Sequence, residues 1–322
     1  MRRLKAAAPA LLLLALGSWR PAPAGPAPRA VAAQLPRLIS TESLAKWQME
    51  RKVILLDVRT DVFAYLQGHL PGAEYLNTET LRSTVGGLPV RLLSAGAYSE
   101  LFSRLGLSLD QPVVIYSAGE TRNIDATFVA WLLAGFDHPQ VYVLDGGFFK
   151  WQLEQRPVVQ PYPRLAVTRF PGAFHPESAS LEDVERAVRT KNAILVDARS
   201  PQQYAGEAGA QMRRGHIPGA INHFWSDDLT QEGFGHVWKD SASLAKSYEA
   251  QGVTRDKDII AYCNSTTEAS HVHFTLRNLL GYPKVRVYVG SWTEWAERTN
   301  LPIESGSGKG DAVSGKPGAG SR

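Results

Sequence analysis

The chain of 322 residues contains one cysteine, Cys263, so any thiol chemistry must pass through it. Cys263 closes an apolar run, Asp258-Ile259-Ile260-Ala261-Tyr262. It opens a polar stretch, Asn264-Ser265-Thr266-Thr267-Glu268, ahead of the helical pattern that starts at Ala269. A thiol at such a strand-to-helix turn faces unpaired backbone N–H groups and the positive end of a helix. That setting predicts a lowered thiol pKa and a nucleophile active near neutral pH. The same donors suit a persulfide anion, Cys263–S–S⁻. The chemistry expected is double displacement: the thiolate takes a group from a donor, and an acceptor then removes it. A lone cysteine is more commonly a small core residue, and it is the strand-end position and polar loop that favour chemistry here.

The loop's own side chains narrow the donor. No Lys, Arg or Gly lies between Cys263 and Ala269, and Glu268 adds a negative charge. A dianion is expected to be repelled there. Asn264, Ser265, Thr266 and Thr267 offer neutral hydrogen bonds and, with Glu268, form the predicted substrate-binding set. Arg214 is added to that set as the cation able to reach a donor, although the adjacent pair Arg213-Arg214 also reads as solvated surface. His271 and His273 read as packing or surface residues, because a thiolate activated by backbone donors needs no base. Asp197 and Arg199 read as a structural pair at a strand end; Trp292, Glu294 and Trp295 read as packing. The eight histidines form no ligand-spaced cluster beyond His271/His273, so neither metal nor cofactor is expected.

The elements that hold this loop come in two copies. Leu55-Leu56-Asp57-Val58-Arg59 recurs as Leu195-Val196-Asp197-Ala198-Arg199, and Gly68-His69-Leu70-Pro71-Gly72-Ala73 as Gly215-His216-Ile217-Pro218-Gly219-Ala220. The offset grows by seven between these matches, which places a loop insertion at 206–212. Val113–Ser117 matches Ile259–Cys263, and Gly146–Trp151 matches Gly290–Trp295. Four matches in one order mark a duplicated domain rather than a short-period solenoid. Apolar runs at 53–58, 113–116, 141–144, 193–196, 259–262 and 285–289 read as buried strands, with helical patterns at 97–105, 126–133, 181–189 and 271–280. This alternation predicts an α/β fold, each copy a parallel sheet flanked by helices on both faces, with ligands at the strand C-termini. Cys263 falls at such a terminus. Composition agrees: 44% hydrophobic and 20% charged residues exclude a disordered or fibrous chain.

The doubled Asp-x-Arg box, the Gly-His-x-Pro-Gly-Ala turns, the strand-end cysteine and the closing Gly-Ser-Trp-Thr-Glu-Trp together resemble the tandem rhodanese family, the thiosulfate and 3-mercaptopyruvate sulfurtransferases. The resemblance runs from about Ile39 to Ile303. It implies an inactive first copy, with Ser117 in the place of the cysteine, and a catalytic second copy. Thiosulfate-specific members carry basic residues and a glycine in the loop, and Gln203 stands where related enzymes often place a substrate-binding arginine. Both departures weigh against thiosulfate and leave a thiol persulfide as an equal alternative. Serine without a base is a poor nucleophile, so Ser117-Ala118-Gly119-Glu120-Thr121-Arg122 reads as scaffold, with Arg122 as a possible anion contact. A catalytically silent sulfur-carrier or binding module is the competing class. A cysteine phosphatase fails, because residues 264–276 contain neither Arg nor Lys.

The domain limits expected are 1–33 leader, 34–156 first copy, 157–176 proline-rich linker, 177–304 second copy and 305–322 Gly-rich tail. Arg2-Arg3-Leu4-Lys5 followed by an apolar block with Leu11–Leu14 has the form of a secretory signal. Export to a bacterial periplasm is therefore expected, ahead of a mitochondrial address. Cleavage after Ala33 removes five cations and takes the net charge from +4 to −1. Nucleic-acid binding through net charge is then excluded. The apolar run is too short to span a bilayer. The expected partners are a small-molecule sulfur donor and acceptor, on a monomer.

Overall fold

A computed structural model describes residues 34–306 except 51, 120–123 and 234. The leader, Arg122 and most of the tail lie outside the described residues. The first copy runs β1 (Arg37–Ile39), α1 (Thr41–Glu50), β2 (Ile54–Asp57), α2 (Val62–Gln67), β3 (Ala73–Tyr75), the hairpin β4 (Arg82–Val85) and β5 (Leu88–Leu92), α3 (Ala95–Arg104), β6 (Val113–Tyr116), α4 (Ile124–Gly135), β7 (Val141–Leu144) and α5 (Gly147–Leu153). The second repeats this order: β8 (Ser178–Ala179), α6 (Leu181–Thr190), β9 (Ile194–Asp197), α7 (Pro201–Ala205), β10 (Ile221–Asn222), the hairpin β11 (Leu229–Glu232) and β12 (Gly235–Trp238), α8 (Ser241–Ala250), β13 (Ile259–Tyr262), α9 (Thr267–His273), β14 (Val285–Tyr288) and α10 (Ser291–Glu297).

Each copy builds a five-stranded parallel sheet, in the order β1-β7-β6-β2-β3 and β8-β14-β13-β9-β10. Strands β2, β6, β7 and β13 are buried at every residue, as expected of parallel strands covered on both faces. The two orders superimpose element for element, and β13 takes the central place that β6 takes in the first sheet.

Helix α4 is apolar nearly all round and buried from Ile124 to Leu133, the mark of a helix covered on every side. It packs against its own sheet and against α9, so Phe128, Val129 and Leu132 share one continuous core with Ala269, Val272 and Phe274 of the second copy. The linker 157–176 has almost no regular structure but is pinned to the first copy. Phe170 is buried against Phe102 and Phe136, and its carbonyl accepts from the Ser99 hydroxyl at 2.6 Å.

The hairpins cross the domain boundary reciprocally. The β11–β12 hairpin covers the first copy's Ser117 loop: the His236 N–H donates to Gly119 O at 3.2 Å and the Trp238 N–H to Asp145 at 3.2 Å. The β4–β5 hairpin, 147 positions earlier, reaches the second copy in the same way. Its Arg82 donates to Thr267 and its Arg91 pairs with Glu294.

Candidate active site

Cys263 follows the last residue of β13, and the loop that begins there is bolted to α10. The Cys263 N–H donates to Ser291 Oγ at 3.2 Å, and the Trp292 N–H donates to Cys263 O at 2.8 Å. The Ser265 N–H reaches Sγ at 3.4 Å, and the Glu268 and Ala269 N–H groups also donate to the sulfur. Three backbone donors thus converge on Sγ, the cradle the strand-to-helix turn predicts.

The loop achieves this turn through Thr266, which sits at φ +89°, a left-handed conformation that a β-branched residue adopts only under constraint. Thr266 is fully buried, and its hydroxyl donates to Val289 O at 2.9 Å, tying the strained residue to the end of β14. Thr266 and Thr267 thus shape and anchor the loop, while Asn264 and Ser265 stay partly accessible beside Cys263.

The expected low thiol pKa is corrected. Burial of the thiol, 1% exposed, and then the charge of Glu268 push Cys263 up to about 12; the three N–H donors pull it down only in part. The loop, polar in its sequence, is closed over its sulfur, and withdrawal from water outweighs the backbone donors.

Arg199 and Asp197 behave as the structural pair expected. The guanidinium holds Asp197 with bonds of 2.9 and 2.5 Å, donates to Gly215 O at 2.8 Å, and lies 4.7 Å over the Trp292 ring. Arg59, Asp57, Gly68 and Phe148 repeat this arrangement in the first copy. Trp292 and Trp295 are packed at 1% exposure, as read from the sequence. Glu294 does more than pack: it is buried, accepts from Tyr288 Oη at 3.0 Å, and takes Arg91 from the other copy.

Arg213 donates to Arg298 O and Leu301 O, both at 2.7 Å, and so ties the chain just after the 206–212 insertion to the end of α10. Arg214 is exposed, and no contact of its side chain with the Cys263 loop is seen among the described residues. His273 pairs with Glu177 at 2.9 Å, away from the sulfur. His271 is fully buried and stacks on Trp238, ring centres 4.8 Å apart. Neither of its nitrogens has a hydrogen-bond partner, Asp228 lies 3.6 Å away, and burial pushes its pKa down to about 4. His271 is therefore neutral packing, in line with its sequence reading.

The residue that sequence reasoning missed is Arg82. It lies 185 positions from Thr267 and, although 94% buried, donates to that side chain across the domain boundary. No local signal announces it; the Gly86-Gly87 turn marks only the hairpin that carries it.

The chain belongs to the rhodanese family: a rhodanese-like domain is matched twice, over residues 40–154 and 180–298. It is 38% identical to a putative thiosulfate sulfurtransferase of Synechococcus elongatus over 81% of this chain and 83% of the relative. It is 36% identical to the sulfur carrier protein TtuD of Thermus thermophilus over 84% and 96%. Among solved structures, the 3-mercaptopyruvate sulfurtransferase SseA of Escherichia coli superposes with a TM-score of 0.69 at 29% identity, covering 79% of this chain and 98% of that one. The tandem α/β fold and the sulfurtransferase class expected from the sequence are thereby established.

Proposed function

We propose that this protein carries sulfane sulfur on Cys263 and passes it to a thiophilic acceptor. The observation that carries this reading is the convergence of the Ser265, Glu268 and Ala269 N–H groups on a single sulfur at the C-terminal end of a central parallel strand. With thiosulfate, the Cys263 thiolate attacks the outer sulfur, the S–S bond of the donor breaks, and sulfite leaves with the electron pair. A thiol persulfide reacts in the same way and releases the thiol. Cyanide or an acceptor thiolate then attacks the outer sulfur of Cys263–S–S⁻ and returns the thiolate. The three N–H donors hold the negative charge in the persulfide stage, where it sits on the terminal sulfur.

Intact-mass measurement tests this directly, because the protein has one cysteine. Exposure to thiosulfate or glutathione persulfide should add one sulfur that cyanide removes, with none added to Cys263→Ser. Absence of loading from both donors overturns the reading. The buried thiol and Glu268 also favour a second reading, a slow sulfur carrier that loads but turns over poorly. It is distinguished by full loading with a low steady-state rate.

The leader supports placement of the protein outside the cytoplasm. A mature N-terminus at Gln34 in a periplasmic fraction is the expected result; an intact Met1 in the cytoplasm refutes it.

A further inference from the structure

The active-site loop contains no cation between Cys263 and Ala269, and Glu268 makes it acidic. The fold places a cation there from elsewhere. Arg82 opens strand β4 in the first copy, and its side chain is only 6% exposed. Its guanidinium carbon lies over the Phe128 ring, 4.4 Å from the centroid; Nη2 donates to Thr267 and Nη1 lies 3.6 Å from Glu79, whose side chain is 74% exposed. Its Nε is buried without a hydrogen-bond partner. A buried donor left unsatisfied costs about 1–3 kcal/mol, more on a charged group, so the guanidinium retains capacity for a further acceptor beside the loop.

From this geometry we infer that Arg82 is a specificity residue for anionic sulfur donors: it sets in trans, from the first copy, a positive charge against a loop that has no cation of its own. The substrate class is then a sulfane-sulfur donor carrying negative charge next to the transferred sulfur, such as thiosulfate or an acidic thiol persulfide. The expectation that a dianion meets no cation at this site is thereby revised. The first copy becomes part of the second copy's site rather than a passive cover. This rests on Cys263 being the sulfur-carrying residue, and the experiment separates the two.

The test compares alkylation of Cys263 in the full-length protein by iodoacetate and by iodoacetamide. Their rate ratio cancels changes in thiolate fraction and access and reports the local charge. Arg82→Gln should lower the ratio about tenfold, the size of one charge pair at about 1.4 kcal/mol, and raise the KM for thiosulfate by a similar factor. Arg82→Lys should hold the ratio within about threefold of the parent. A ratio and a KM both unchanged in Arg82→Gln would make Arg82 a domain strut and overturn the inference. If Arg82→Gln does not fold, the unmodified protein still decides: its ratio must exceed that of free glutathione and fall with added salt, and a ratio below glutathione's overturns the inference. Failure of the parent to load sulfur would overturn the proposed function while the alkylation ratio still decided the role of Arg82.

Discussion

Replacing Glu268 with Gln tests the electrostatics of the site most sharply, because shape is kept and only charge is removed. The thiol of Cys263 stands at about 12 against an ordinary value of 9.0, first through burial and then through Glu268. That displacement amounts to about 4 kcal/mol against the thiolate and leaves about one molecule in ten thousand ionised at pH 8. A like charge within a few ångströms shifts a pKa by about one to three. Glu268 ranks second to burial, so the low end applies, and Glu268→Gln should make the thiol about tenfold more acidic. Below its pKa the alkylation rate follows the thiolate fraction, so iodoacetamide should label the variant about ten times faster than the parent at pH 8. In both proteins the rate should still be rising at pH 10, because burial is untouched. The assay is intact mass against time across pH 7–10, unambiguous with one cysteine. A parent rate that levels off below pH 8.5 would show that the backbone donors win and that the desolvation reasoning is wrong. A variant within twofold of the parent would show that the charge of Glu268 is not felt at the sulfur.

Other perturbations follow from the same contacts. Thr266→Gly should relieve about 1–3 kcal/mol of backbone strain and lose one hydrogen bond worth about 1 kcal/mol, so urea unfolding should show a change between zero and about 2 kcal/mol of gain. A loss above about 1 kcal/mol would place the hydrogen bond to Val289 ahead of the strain. Arg91→Ala leaves the buried Glu294 carboxylate with Tyr288 and the more distant Arg298; a loss of about 1–3 kcal/mol is expected, discounted from a fully buried pair because Arg91 is 36% exposed. His271, held near 4 by burial, binds its proton in the unfolded chain first. Stability therefore falls as the pH drops from about 6.5 to 4, by about 3 kcal/mol for this residue. His138, also lowered to about 4, adds to that loss, whereas Asp145, raised to about 6, opposes it below pH 6. His271→Phe keeps the last two, so the difference between variant and parent, measured by urea unfolding at pH 7 and 4.5, isolates His271 and should grow by about 2–3 kcal/mol toward acid.

The sheet strands were legible because parallel strands buried on both faces are continuous apolar runs. Val113–Tyr116, Val141–Leu144 and Ile259–Tyr262 were read with their observed limits. The edge strands β8 and β10, two residues each, carry no such run. The β4–β5 hairpin escaped because Arg82-Ser83-Thr84-Val85 shows no alternation; its Arg82 and Arg91 reach the other copy, at Thr267 and Glu294. Helix α9 begins at Thr267 rather than at Ala269 or His271, since its first turn is built from the polar loop and anchored by the Ser270 N–H on Thr266 O. The position of Cys263 was legible from spacing, but its acidity was not: exposure is a property of the closed assembly, and no local pattern of Asn, Ser and Thr records it.

The same reasoning explains why a copy without a nucleophile persists in the fold. The second copy alone would expose the apolar face of α9 that rests on α4, and would strip the loop of the Arg82 bond to Thr267 and of the Arg91 partner of Glu294. The first copy in turn relies on β11–β12 to close over Gly119 and to cap Asp145. Each hairpin is a short two-stranded ribbon, marginal on its own in water, and is stable here only because it lies on its partner's loop. The first copy carries Ser117 where the second carries Cys263, yet the second copy's loop and helix α9 still rest on it. Charge at the site is thus arranged across the boundary: the loop 264–268 has no cation of its own, and one from the opposite copy, Arg82, stands against it at Thr267.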